Sequence, residues 1–241
     1  MPPGAFDGEG RAEFAGVIAP MPRLQLGVVV PFVVNVRQFP LDSAIGGGFG
    51  DITASSRFDV IPLTTSNAWP AIAITAALTF PTGRSASDAT DALAADATGL
   101  GVVEFRPGIF IEKSFSGRAS AVFASSLGLR GPGTDSQGQP VQLAPRLRMI
   151  AAAGPVFDMG LSFSAGLIHE YEEAPSIGGI AAPDANRRRT AALLFVGYDI
   201  SKHLTLLGSF DVDLPMRFVG KNEPAAMSVS IGLRRSFSVE N

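Results

Sequence analysis

The chain has 241 residues, of which 46% are hydrophobic and 17% charged, with a formal net charge of -3 and no cysteine. The absence of cysteine excludes a disulfide framework and thiolate metal sites, and a weakly negative chain offers nothing to a nucleic-acid backbone. The longest apolar run, 24–34, is interrupted by Gln25 and Pro31 and falls well short of the roughly 18 residues a spanning helix needs, which excludes a helical membrane protein.

What recurs instead is alternation with a period of two, the signal of a strand with two unlike faces. The first segment, 11–19, is weak, and 23–37 follows it. In 48–62, Asp51, Thr53, Ser55, Arg57 and Asp59 share one face, while Ile52, Ala54, Ser56, Phe58 and Val60 share the other. After 69–81 comes 99–113, which sets Val103, Phe105, Ile109 and Ile111 against Glu104, Arg106, Gly108 and Glu112. Segments 117–130, with Arg118, and 140–152, with Arg146 and Arg148, continue the series. In 156–170, Phe157, Met159, Leu161 and Phe163 oppose Asp158, Gly160, Ser162 and Ser164. Segment 188–200 leads to 203–215, where Leu204, Leu206, Phe210 and Val212 oppose Thr205, Ser209, Asp211 and Asp213. The last segment, 224–237, sets Met227, Val229, Ile231 and Leu233 against Ser228, Ser230, Gly232 and Arg234. The best of these strands run to about 11–14 residues, twice the usual length in soluble sheets.

The connections alternate between tight and long. Lys113–Gly117, Ala153–Pro155 and Ser201–Lys202 are tight, and Pro62–Asn67 is short; Thr82–Thr98, Gly131–Gln139 and Tyr171–Arg187 are longer, Met216–Glu223 is moderate, and a glycine-ended loop runs from Arg37 to Gly48. Long two-faced strands with loops sorted by length are the signature of a transmembrane β-barrel. The expected fold is therefore one all-β domain over 1–241, an antiparallel barrel of about twelve strands. Eleven are visible. Because such barrels have an even number with both termini on the short-turn side, a first strand and a signal peptide are expected to be missing, with residues 1–10 as the end of that strand's long loop. The alternative, a strand inside "PPGAFDGEG", is opposed by Pro2, Pro3 and the nearby glycines.

Three motifs in order, "VVVPF" (Val28–Phe32), "GFGDITASSRFDV" (Gly48–Val60) and "WPAIAITAALTFPTG" (Trp69–Gly83), resemble the outer-membrane barrel family named for the meta-pathway of phenol degradation. That resemblance covers Leu24 to Gly83, the later strands agreeing in rhythm. It implies a roughly twelve-stranded barrel in the outer membrane of a Gram-negative bacterium, passing aromatic or other apolar compounds. The terminal strand ends in Phe237, as the assembly signal of such barrels requires, although "SVEN" follows it and Arg235 stands on the apolar face.

In a barrel the apolar faces meet lipid, and the polar faces line the lumen. The expected lumen set is Asp51, Arg57, Asp59, Glu104, Arg106, Glu112, Arg118, Arg146, Arg148, Asp158, Asp211, Asp213 and Arg234. Its mixed signs suit either cross-strand ion pairs that stabilise the wall or a polar corridor. Twelve strands fall between filled and open barrels, so a constricted lumen partly plugged by loops is expected. The functional expectation is a passive channel for small solutes. A plugged structural barrel and an outer-membrane enzyme are the rivals, and a soluble calycin-type barrel is disfavoured by strand count. No cofactor or metal is expected: His169 and His203 stand in no catalytic motif, the aspartates of 85–99 lack calcium-loop spacing, and "GGGFG" is no phosphate loop. Expected partners are the bilayer, the outer-membrane assembly machinery and a small solute, with no nucleic acid. The arginines of "NRRRT" (Asn186–Thr190) suit either lipopolysaccharide or a solvated strand end.

Overall fold

A computed structural model describes residues 6–39, 42–63, 69–116, 118–134, 137–182, 184–214 and 226–237. The connection at Met216–Glu223, part of Pro62–Asn67 and the C-terminal Ser238–Asn241 lie partly or wholly outside the described residues. Its strands are β1 (Phe6–Met21), β2 (Leu24–Phe39), β3 (Asp42–Phe49), β4 (Ile52–Ile61), β5 (Ala71–Phe80), β6 (Glu104–Phe115), β7 (Ala119–Arg130), β8 (Pro132–Thr134), β9 (Pro140–Gln142), β10 (Arg146–Pro155), β11 (Leu161–Glu172), β12 (Ser176–Ile177), β13 (Ile180–Ala181), β14 (Arg187–Ser201), β15 (Leu204–Asp213) and β16 (Met227–Arg235).

Eleven of them form one curled antiparallel sheet in the order β1-β2-β4-β5-β6-β7-β10-β11-β14-β15-β16, with β3 paired beside β2. Each neighbour follows its predecessor, as expected of an up-and-down wall. The register fixes the faces, since a shift by one residue would turn every side chain over. On β5, Ala73 is fully buried and its neighbour Ile74 is 58% exposed. The inner face therefore holds Ala73, and with it Arg57, Glu104, Arg106, Arg130 and Arg148 by pairing. The outer face exposes Phe58, Phe105, Leu127, Leu167, Leu194 and Phe210. A continuous apolar face of this size is unfavourable in water and favourable in lipid, where each inner strand satisfies its backbone groups on two neighbours, β1 and β16 being paired on one side among the described residues. Among the described residues no helix is long and apolar enough to cross a membrane.

The tight connections gather at one end of the sheet: Pro22–Arg23, Ser116–Arg118, Val156–Gly160 and Lys202–His203. The register irregularities in β1/β2, β4/β5 and β14/β15 lie at this same end. Trp69 stands there too, 77% exposed just before β5. The long connections gather at the other end, where β8, β9, β12 and β13 build a second, four-stranded sheet.

Two expectations are corrected. Phe6–Gly10 is strand rather than loop, paired residue by residue with Gln38–Val34. The glycine-ended loop after Arg37 is largely strand β3, which folds back along the outer half of β2. Glycine is required at Gly46 because residues 95–96 cross directly over it, and a Cβ there would lie 2.7 Å from the Ala95 carbonyl carbon. Segment 85–99 is a connection with one 3-10 turn at Ala92–Ala94, bonded back onto the strands at several points.

Candidate functional site

The inner face carries its ionisable residues in two main groups, besides an exposed set on β1 in which Arg11 lies near Glu9 and Glu13, and Asp7 near Arg37. The larger spans β6 to β15. At its centre Glu104 is 2% exposed and takes Arg130 Nε at 2.9 Å and Arg106 Nε at 3.1 Å. The Arg130 guanidinium then reaches across to β11, where it grips Glu172 with both terminal nitrogens, at 2.7 and 3.4 Å. Such a fork matches the carboxylate plane and is the stronger kind of ion pair. Gly128 makes room for it: a Cβ at that position would sit 3.1 Å from Glu104 Oε2.

One step along, Arg148 of β10 faces Glu170 of β11, Nε to Oε1 at 3.2 Å. Glu170 in turn pairs in register with Arg189 of β14. Arg189 donates to Asp211 at 2.6 Å and Asp213 at 2.8 Å on β15. These pairs form a mixed-charge band on the half of the sheet nearer the long connections.

The smaller group fixes the β5–β6 connection against β2, β3 and β4. Asp51 accepts from the backbone N–H of Gly83 at 2.9 Å and of Leu100 at 2.7 Å, holding both roots of the connection with one carboxylate. Asn35, 4% exposed on the inner face of β2, donates to the carbonyls of Ala95 and Ala97. Arg37 donates to the carbonyl of Leu93. Inside the connection, Asp96 accepts from the Thr90 backbone, the Thr90 hydroxyl, the Asp91 backbone and Arg84. Led by the Thr90 N–H, these donors hold the Asp96 carboxyl well below the usual carboxylate range. Nearer the tight-turn end, Arg57 donates to Asp59 at 2.8 Å and lies 4.6 Å over the ring of Phe110.

Of the residues singled out from sequence, Arg57, Asp59, Glu104, Arg106, Arg146, Arg148, Asp211 and Asp213 share the inner face, and Glu112 lies on it below Phe110. Arg234 is on that face at exposed β16, 3.4 Å from the Thr205 hydroxyl. Asp51 precedes β4 and serves the connection just described. Arg118 and Asp158 do not join the set. Arg118 lies in the turn before β7 and Asp158 in the turn before β11, both exposed, because each strand starts later than its alternation suggests. Arg130, Glu170 and Glu172 belong to the band and were not singled out, and Arg189, read as part of an exposed arginine run, belongs to it too. For Glu170 and Glu172 the signal was parity: both keep the two-residue step of Ser162 and Ser164 on β11.

Among the described residues no group of acidic and histidine side chains is arranged to hold a metal. His169 meets the Thr190 hydroxyl at 2.9 Å, away from the charged band.

A curled antiparallel sheet with an ionised inner face and an exposed apolar outer face is the wall of an outer-membrane-type β-barrel. In comparisons with known proteins, no family profile matches the chain, and no curated protein matches it. Among solved structures it is similar to the crystal structure of an outer membrane channel from Pseudomonas putida F1, with a TM-score of 0.75 and 16% identity, over 95% of this chain and 83% of that one. At that identity the likeness is one of fold.

Proposed function

We propose that this chain is a passive channel for small solutes in the outer membrane of a Gram-negative bacterium, with the inner face as its path. The observation that carries the reading is the division of the faces: apolar side chains stay exposed on the outside, while ionisable ones converge on the inside. Only a chain bathed in lipid and enclosing a polar interior gains from both. The fold likeness to an outer membrane channel supports it, and the resemblance of Leu24–Gly83 to the phenol-degradation barrel family agrees with it. The bilayer and the outer-membrane assembly machinery are the partners this reading entails. Lipopolysaccharide contact would fall to Arg188, whose guanidinium lies 5.9 Å over the Tyr171 ring at the long-connection end.

A second reading, a plugged structural barrel, draws on the β5–β6 connection packed against inner residues of β2. Single-channel recording of the refolded full chain in a planar bilayer separates the two. A channel gives discrete openings whose anion-to-cation selectivity falls in Arg106→Glu. Stable insertion without current supports the plug, and failure to insert defeats both.

A further inference from the structure

The charged band is not fully self-satisfied. Arg146 sits on the inner face of β10, paired in register with Gly128 on one side and Glu172 on the other. Gly128 offers no side chain, and Glu172 is held by the fork of Arg130. The Arg146 guanidinium takes part in no hydrogen bond or ion pair among the described residues. Two positions along the same strand, among the described residues, Arg148 meets one acid, Glu170, and Arg106 meets Glu104, which it shares with Arg130. In both contacts the nitrogen is Nε, which lies near the carboxylate without hydrogen-bonding geometry. On the long-connection side of Phe110 the patch on β6, β7, β10 and β11 thus sets four arginines (106, 130, 146, 148) against three glutamates (104, 170, 172), leaving one positive charge over there; Glu112 lies beyond Phe110. One strand further, Arg187, in register with Glu172, and Arg189 match Asp211 and Asp213 in number. The field across the inner face therefore draws an anion towards β10.

Directly beyond the arginines the same face turns apolar. Phe110, Ala124, Ile150, Ile168 and Ala191 form one register row across five strands, and Ile150 is the next inner-face residue after Arg148. Ile168 and Ala191 are already buried, so the part of the row open to a ligand is Phe110, Ala124 and Ile150. A guanidinium fork beside an apolar row suits a ligand with a carboxylate at one end and a hydrocarbon body at the other. The fork matches the carboxylate plane, and the row removes apolar surface from water at roughly 25 cal/mol per Å². A neutral solute forgoes the first contribution and a small inorganic anion the second.

We infer that Arg146 and Arg148, with Arg106 facing them across Gly128, form a binding site for monocarboxylates with an apolar body. The site deepens the channel reading and depends on it for the ligand's way in. The test uses the refolded full chain in detergent, titrated calorimetrically with benzoate, acetate and benzamide, and in a bilayer, where benzoate is scored by its block of chloride current relative to each variant's own current. Benzoate is expected to bind saturably, about tenfold or more tighter than acetate or benzamide, and Arg146→Gln and Arg148→Gln each to weaken it by about tenfold. Arg146→Lys keeps the charge without the fork and is expected to fall between. Equal binding of benzoate and benzamide, or unchanged binding in both Gln variants, overturns the site. If Arg148→Gln does not fold, Arg146→Gln decides, because that guanidinium holds no partner among the described residues. Benzoate binding without current keeps the site and defeats the channel; current without benzoate binding does the reverse.

Discussion

The inner face over β2 to β4 and the inner face over β6 to β15 use the same residue types for different ends. On the first, Asp51, Asn35 and Arg37 are spent on backbone groups of one connection. On the second, side chains bond to side chains across strands, and several arginines keep donors to spare. Backbone partners are fixed in number and place, so Asp51 and Asn35 end up satisfied, while Arg37 Nε, 3.6 Å from Asp7, keeps no hydrogen-bond partner among the described residues. Ion pairs between long side chains have to match in count, and in the second region the count does not match. A charge on a barrel's inner face is therefore not by itself a sign of a path; what matters is whether its partner is main chain or side chain.

The sharpest way to break this contrast is at Glu104. Glu104→Ala leaves Arg130, a guanidinium 3% exposed, with one acid fewer in a buried setting, where losing a partner costs about 3–5 kcal/mol. The urea midpoint of the refolded protein should fall accordingly, and a change under about 1 kcal/mol would mean that water reaches Arg130 freely. Asp51→Ala should act locally. It strips the acceptor from the Gly83 and Leu100 N–H groups, each worth about 1–3 kcal/mol when left unsatisfied. Hydrogen exchange should quicken across residues 82–103 while β6 to β11 keep their protection. Uniform quickening would show that the connection and the wall unfold together.

The smallest effect is one of pH. Asp96 has its carboxyl depressed in the folded chain, so its contribution is complete above the ordinary unfolded value of about 4. It is lost only as pH falls below that value towards the depressed folded one. Protection of 82–103 should accordingly be flat from neutral pH to about pH 5, and Asp96→Asn should lower it at neutral pH. Loss of protection already at mildly acidic pH in the unsubstituted chain would mean that Asp96 is not the anchor.

The wall was legible wherever one face is plainly apolar and the other plainly polar. β15 and β16 fall within their expected spans for this reason. β14 hid its inner face, because Leu193 and Phe195 point inward while Leu194 and Val196 point outward. With no contrast across the strand, Arg189 read as a strand end. Glu170, Glu172 and Arg130 were lost differently: β11 runs on past its last aliphatic residue, and the end of β7 is polar on its inner face. β2 is apolar on both faces around Val33, which is 1% exposed. That two-sided apolarity is the trace of the connection lying against it, a long-range contact that no local pattern carries. The four short strands of the second sheet are too brief to alternate at all.

Trp69 is the chain's single indole. It stands 77% exposed beside the start of β5, at the end of the sheet where the tight turns gather. All indole emission from this protein therefore arises at one known point. Its wavelength, and its quenching by brominated lipid at graded depths, would report where the tight-turn rim rests in a bilayer without any dye, label or substitution.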